Sequence, residues 1–304
     1  MKIEIDLINN YLSHCKNQKR LNNHTLKAYK IDLNQFYKHF EKQNITKDIL
    51  LKYISFLHQN FKPKTTKRKL ASINAFFTFL EYEEIIENNP LKKIKFNFKI
   101  EKNLPKIISH DDLNKFYTEL YKPYNTNSKF KKILALRNIA VVELMMTTGL
   151  RVSEVCNLKV DSINLKEKYI RVLGKGNKER IIQIENNNVC TALKNYNSII
   201  SRNDSCDYFF LNINYHKLSE QTVRNIINQI SSKANIKQHI TPHMFRHSFA
   251  TMLLEEDVDI RYIQKILGHS SITTTQIYTH VTSNKQREIL KNKNPRRKIK
   301  IYEI

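Results

Sequence analysis

Residues 169–184 read YIRVLGKGNKERIIQI. Two short runs rich in β-branched residues, YIRVL and RIIQI, stand either side of GKGNKE, and that order describes a β-hairpin with a glycine- and asparagine-based turn. The stretch decides the fold class, because the rest of the chain is spaced as helices: one hairpin among them makes the second part of the chain mixed rather than a pure bundle. It raises a second question as well. The 304 residues include four glycines, where average usage would give about 21, and two of the four flank Lys175. Gly149, Gly174, Gly176 and Gly268 each stand next to, or two residues from, a polar side chain suited to phosphate: Arg151, Lys175 or His269. Helix ends and tight turns need glycine in any case, which accounts for each one singly. The joint pattern points to a phosphate site.

Working outward, residues 133–147 read as a buried helix stopped by Gly149. Beyond the hairpin, Ser219 caps EQTVRNIINQISSKA, Thr241-Pro242 opens HMFRHSFATMLLEE, and Asp259 opens IRYIQKIL, which Gly268 stops. A further helix is expected through ITTTQIYTHV, followed by a basic tail. Residues 1–95 read as helices, with Leu26, Tyr29, Leu33, Phe36 and Tyr37 on one stripe and Leu70, Ile73, Phe76, Phe77 and Leu80 on another. Lys62, Lys64, Lys67, Arg68 and Lys69 crowd the start of that second helix, with Thr65 and Thr66 as expected caps. Such a helix start offers cations and unpaired N–H groups to a phosphate, and a plain solvated face has the same composition. Pro90 and Pro105 bracket a lysine-rich stretch with little helical period, read as an extended linker. The expected fold is mainly α with a small β-sheet. The expected divisions are 1–96 helical, 97–108 basic linker, 109–292 mixed α/β, and 293–304 basic tail.

Lysine and arginine total 52 against 28 acids, a net charge of +24. A globular chain this basic is a candidate partner for a polyanion, although the Lys, Asn and Ile richness also matches A+T-rich coding DNA. The longest apolar run, Ile139 to Met146, is broken by Glu143 and is too short to span a bilayer. The first residues carry acids early and no apolar core, so they do not read as a signal peptide. Cys15, Cys156, Cys190 and Cys206 are scattered, which fits a reduced cytosol better than a disulfide frame or a zinc site.

Individually the candidate residues are ambiguous. Arg151 follows a helix stop, where Glu154 or its neighbours can hold the backbone while its planar fork serves a phosphate or a surface ion pair equally. Lys175 at a hairpin tip suits an ordinary polar turn as well as a mobile proton donor. His243 and Arg246 share a helix face near an N-terminus that favours anions. His247, four residues from His243, raises a metal site, but no carboxylate accompanies the pair and none is assigned. Tyr278 in a threonine-rich turn reads equally as a partly buried aromatic.

Taken together they are not ambiguous. TTGLRVSEVCNL, GKGNKER, TPHMFRHSFATMLL and LGHSSITTTQIYTHV resemble the signature boxes of the tyrosine recombinases, in that family's order and spacing. The wording is most similar to the Xer-type members of bacteria. The resemblance is strong over about 134–282, fair over 1–95, and fades after about 285. It implies an N-terminal helical, SAM-like core-DNA-binding domain and a C-terminal mixed α/β catalytic domain. Because the helices begin close to Met1, it favours the two-domain form over one with a further arm-binding domain.

By resemblance the catalytic residues are Arg151, Lys175, His243, Arg246, His269 and Tyr278. Tyr278 is the implied nucleophile, Arg151 and Arg246 the clamp on the phosphate, His269 a further donor, His243 the proton acceptor, and Lys175 the acid for the leaving 5′-oxygen. Lys64, Lys67, Arg68, Lys69, Lys178 and Arg180 are expected to contact DNA. The implied enzyme is a site-specific DNA strand transferase that works through a 3′-phosphotyrosyl intermediate, with no cofactor and no metal. Its implied setting is the cytoplasm, at the nucleoid and away from membranes. Its partners would be double-stranded DNA and three further subunits, identical or of a related recombinase, on two DNA sites. Resolution of chromosome or plasmid dimers and integration of a mobile element both fit. A type IB topoisomerase-like relaxing enzyme and a non-catalytic DNA-binding regulator remain as alternatives, and a metal-dependent nuclease is the least favoured.

Overall fold

The structure is a computed structural model that describes residues 3–40, 44–94, 98, 105–122, 128–174, 179–200 and 206–268. The chain divides into two compact units, Met1–Lys102 and Asn103–Ile304.

The first unit packs four helices: α1 (Ile5–Asn17), α2 (Asn23–His39), α3 (Lys47–Asn60) and α4 (Pro63–Tyr82), followed by a 3₁₀ turn at Pro90–Lys93. Asn22 and Thr46 cap α2 and α3 by accepting from the N–H groups of Thr25 and Ile49. The core is aromatic: the Phe36 ring meets Tyr53 at 5.1 Å and Phe77 at 5.9 Å, both edge-on. The threonines expected to cap α4 do something else. Lys62 stands at the cap position with Pro63 at the first helical residue, and no side chain caps the helix. Thr66 lies one turn inside, buried, and its hydroxyl donates to the Leu57 carbonyl at 3.1 Å, fastening α4 to the last turn of α3.

The second unit is built around α6 (Lys129–Thr148), whose stretch Ile139–Met145 is buried on every side. A helix buried all round belongs in a core, and the acid in this stretch, Glu143, accepts from the Tyr121 hydroxyl at 2.6 Å. Packed against it are α5 (His110–Tyr121), α7 (Val152–Cys156), α8 (Asn187–Ile199) and α10 (Pro242–Glu255). Beside them lie α9 (Glu220–Lys233) and α11 (Ile260–Leu267). The hairpin forms as its pattern predicts: β2 (Tyr169–Leu173) pairs antiparallel with β3 (Glu179–Gln183), with Val172 opposite Arg180. A two-residue strand, β1 (Ile163–Asn164), extends the sheet in the order β1-β2-β3. Ile170, Val172 and Ile182 turn into the core, while Leu173 and Ile181 face out, the period of two that a one-sided sheet requires.

The stretch read as linker does not stay free to its end at residue 108. Ile108 is buried in the second unit's core, and its N–H donates to the Ser248 hydroxyl on α10 at 2.8 Å. An apolar residue ahead of the Ser109 cap of α5 is what the lysine-rich average concealed. No helix among the described residues is long and apolar enough to cross a membrane, and the four cysteines are unpaired.

Candidate active site

The site begins where α6 ends. Gly149 takes the left-handed conformation (φ +62°) and donates its N–H to the Met145 carbonyl. A Cβ there would lie 2.4 Å from Phe249 and 2.7 Å from Leu267, so packing and backbone both exclude a side chain. The sharp exit throws Arg151 onto the N-cap of α7. An arginine has no acceptor with which to cap. The cap is made in reverse instead, by Glu154 Oε2 accepting from the Arg151 N–H at 2.9 Å.

Glu154, buried at 6 % exposure, organises the cations around it. Its Oε1 accepts from Arg151 Nη1 at 3.0 Å. Arg180, arriving on β3, places Nη1 and Nη2 on the two carboxylate oxygens at 3.0 Å each, the fork-on-fork geometry of a strong pair. Burial pushes the Glu154 carboxyl upward. The Arg180 hydrogen bonds, the Arg151 backbone bond and the two positive charges outweigh it, and the pKa falls below the usual carboxylate range.

Arg246, from α10, is 4 % exposed. Its Nη1 donates to the Gly149 carbonyl at 2.8 Å and its Nη2 to the Leu267 carbonyl at 2.7 Å. The Arg180 Nε takes the neighbouring Ile266 carbonyl at 3.2 Å. Two arginines thus satisfy carbonyls that the end of α11 would otherwise leave unpaired, on the negative end of its dipole.

His243 sits in the first turn of α10, one turn before Arg246, and reaches solvent. Partial burial of the ring lowers its pKa, and so do the charges of Arg246, Arg151 and Arg224. Because the residue still meets water, the three guanidinium groups are the more telling cause. Arg246 stands one turn from His243 on α10 and bonds the Gly149 carbonyl, two residues from Arg151, which sets all three in one region. A neutral imidazole beside fixed cations can accept a proton in a place that favours anions. His247 is lowered as well, by burial and then by His243 and Arg246. No group of three or more His, Cys, Asp or Glu side chains suited to a metal occurs among the described residues.

Of the six residues expected to be catalytic, the structure brings Arg151, His243 and Arg246 together. Lys175, His269 and Tyr278 lie outside the described residues, as does Lys178. Among the expected DNA contacts, Lys64 and Lys67 are exposed on α4. Lys69 is not: it is 4 % exposed, its ammonium lies 3.1 Å from Asp32 and over the Phe61 ring. The reason is its spacing, since Lys69 falls on the same helical stripe as Thr66, Leu70 and Ile73 and so points inward with them. Arg68 is half-exposed and also bonds Asp32. Arg180, expected to contact DNA, is bound to Glu154 with its side chain 15 % exposed.

Sequence reasoning placed Glu154 only as a support for the backbone near Arg151. An acid three residues into a helix is the available signal, and it gives no hint of Arg180. It missed Arg224 entirely. That residue pairs with Glu220 one turn earlier on α9, and only the tertiary fold brings it near His243.

Comparison with known proteins follows this geometry. The profile of the phage integrase family matches residues 106–285, and that of the phage integrase N-terminal SAM-like domain matches residues 8–84. A protein of Agathobacter rectalis named tyrosine recombinase is 49 % identical over 295 residues, covering 95 % of this chain and 96 % of the relative. The tyrosine recombinase XerC of Thermodesulfovibrio yellowstonii is 36 % identical, covering 95 % and 96 %. Among solved structures, the XerH site-specific recombinase bound to a palindromic difH substrate, in a post-cleavage complex, superposes with a TM-score of 0.74. That superposition covers 91 % of this chain and 82 % of the other at 24 % identity, a likeness of fold.

Proposed function

The chain belongs to the phage integrase family and is a tyrosine recombinase, an enzyme of site-specific DNA recombination, and from that premise we propose how its residues divide the work. Double-stranded DNA is the substrate, in keeping with the net charge of +24. Tyr278 attacks a backbone phosphorus, a bond forms from the phenol oxygen, the bond to the 5′-oxygen breaks, and a 3′-phosphotyrosyl link remains. The phenol proton passes to His243, and Lys175 delivers a proton to the departing 5′-oxygen. Arg151 and Arg246, with His269, neutralise the charge that grows on the non-bridging oxygens. One phosphodiester replaces another, so a 5′-hydroxyl from a second duplex reverses the step without ATP, metal or cofactor.

The observation that carries this reading is the pair of immobilised guanidinium groups set near His243. Arg151 is fixed by Glu154, Arg246 by two helix-end carbonyls, and both lower the pKa of His243. Ordinary tyrosine has a pKa near 10, so about 0.1 % is phenolate at neutral pH. A fixed cationic nest with an adjacent base is what such a nucleophile needs.

The first unit grips the duplex through the exposed start of α4, with Lys64 and Lys67 foremost. The working assembly is a tetramer on two DNA sites, of this chain alone or with a related recombinase. The setting is the cytoplasm at the nucleoid, where chromosome or plasmid DNA lies, and the task is Xer-like resolution of dimers.

The test is covalent trapping. A DNA site is first recovered by selecting bound sequences from a random duplex pool. A suicide duplex is then made with a nick beside the scissile phosphate. Wild-type protein is expected to carry DNA through denaturing electrophoresis and Tyr278→Phe to carry none. No adduct from the wild type, or an undiminished adduct from the variant, overturns the assignment.

A further inference from the structure

Arg180 has surroundings that suit neither solvent nor a DNA backbone. Its three nitrogens hold two partners at once: Nη1 and Nη2 on Glu154, and Nε on the Ile266 carbonyl in the last turn of α11. Gly268 supplies an independent observation. It ends α11 with φ +64°, and a Cβ built on it would lie 2.9 Å from Arg180 Nη1 and 3.0 Å from Cζ. The backbone at the end of α11 is therefore bare where the guanidinium passes. Lysine, a point charge on a flexible stem, could serve one of these partners but not both.

We propose that Arg180 is a positioning residue for strand cleavage: it locks β3, the Glu154 carboxylate that holds Arg151, and the last turn of α11 into one unit. It acts on the reaction through Arg151 and touches no reacting atom. Because β3 is one arm of the lysine hairpin, the lock fixes that arm relative to the arginine facing the phosphate. The catalytic half of this inference rests on the active-site reading above; the structural half stands without it.

The test uses the full chain as Arg180→Lys, Arg180→Ala, Gly268→Ala and the Arg180→Ala/Gly268→Ala double variant. Hydrogen exchange without DNA comes first. In Arg180→Lys the amides of the last turn of α11 are expected to lose about tenfold protection or more, while the buried stretch of α6 keeps its own. Thermal unfolding closes a cycle: Gly268→Ala should destabilise less in the Arg180→Ala background than in the wild type. Backbone strain is common to both backgrounds and only the clash with the guanidinium disappears. With the selected suicide duplex at saturation, cleavage by Arg180→Lys should slow about tenfold or more, with duplex affinity held within about threefold. The opposite split overturns the proposal: weaker binding, a salt dependence reduced by about one ion, and an unchanged saturated rate mark a phosphate contact. Unchanged exchange with an additive cycle overturns it too. If the wild type forms no adduct, the active-site reading falls and takes the catalytic half with it, while exchange and the cycle still decide the lock.

Discussion

The two units each bury one carboxylate against two cations, to different ends. In the first unit, Asp32 is fully buried and accepts from Arg68, from Lys69 at 3.1 Å and from Ser72 at 2.8 Å. All three donors stand on α4, within five residues. In the second unit, the two cations on Glu154 come from different elements, α7 and β3, and one of them reaches on to α11. The first arrangement pins one helix to its neighbour. The second joins separate elements and stands beside His243 and Arg246. A buried acid with two bases is therefore not by itself a mark of a site. What distinguishes Glu154 is that its partners stand on separate elements rather than on one helix, and that one of them, Arg151, keeps a third of its side chain open to solvent.

The sharpest break between the two is expected from removing each negative charge. Asp32→Asn leaves Lys69 buried without a counter-charge and should lower stability by about 3–5 kcal/mol in denaturant titration. Cleavage at saturating duplex should persist in whatever remains folded. Glu154→Gln should act on catalysis as well as stability, slowing single-turnover cleavage about 100-fold as Arg151 loses its orientation. It should also flatten the acid side of the stability profile. The folded pKa of Glu154 is depressed, so its contribution is present above the unfolded carboxylate pKa and is lost as pH falls through the folded value. Equal loss of cleavage in both variants would erase the distinction.

A smaller effect separates surface from interior on α4. Lys64→Ala and Lys67→Ala should each reduce the salt dependence of duplex binding by about one ion without a change in melting temperature. Lys69→Met should leave that slope intact and change stability alone. The smallest effect concerns pH. Removing the Arg224 charge with Arg224→Gln should raise the His243 pKa. The acid limb of the cleavage profile then moves toward higher pH, since His243 must be neutral to accept a proton. An unmoved limb would detach His243 from the proton transfer.

Much of this was legible in the sequence because local rules dominate there. Gly149 and Gly268 mark helix ends in the left-handed conformation, Ser219 and Asp259 cap α9 and α11, and Pro242 opens α10, as their residue types require. Arg151, His243 and Arg246 were singled out through motifs, and Arg246 bonds the Gly149 carbonyl two residues from Arg151. What escaped was whatever depends on partners far along the chain. Lys69 reads as one more surface lysine until its helical phase is counted against Thr66 and Ile73. Arg180 reads as a phosphate contact until Glu154 and Ile266, distant in sequence, are brought to it. Charge composition counts cations and says nothing about which of them are already occupied.

The docking of Ile108 has a practical side. A fragment started at residue 109, the boundary read from the sequence, discards an apolar anchor and strands the hydroxyl of Ser248, 1 % exposed, without the amide it serves. Anyone isolating the second unit should begin the polypeptide upstream of that isoleucine, and a poorly behaved shorter piece would reflect the choice of scissors rather than a unit unable to fold alone.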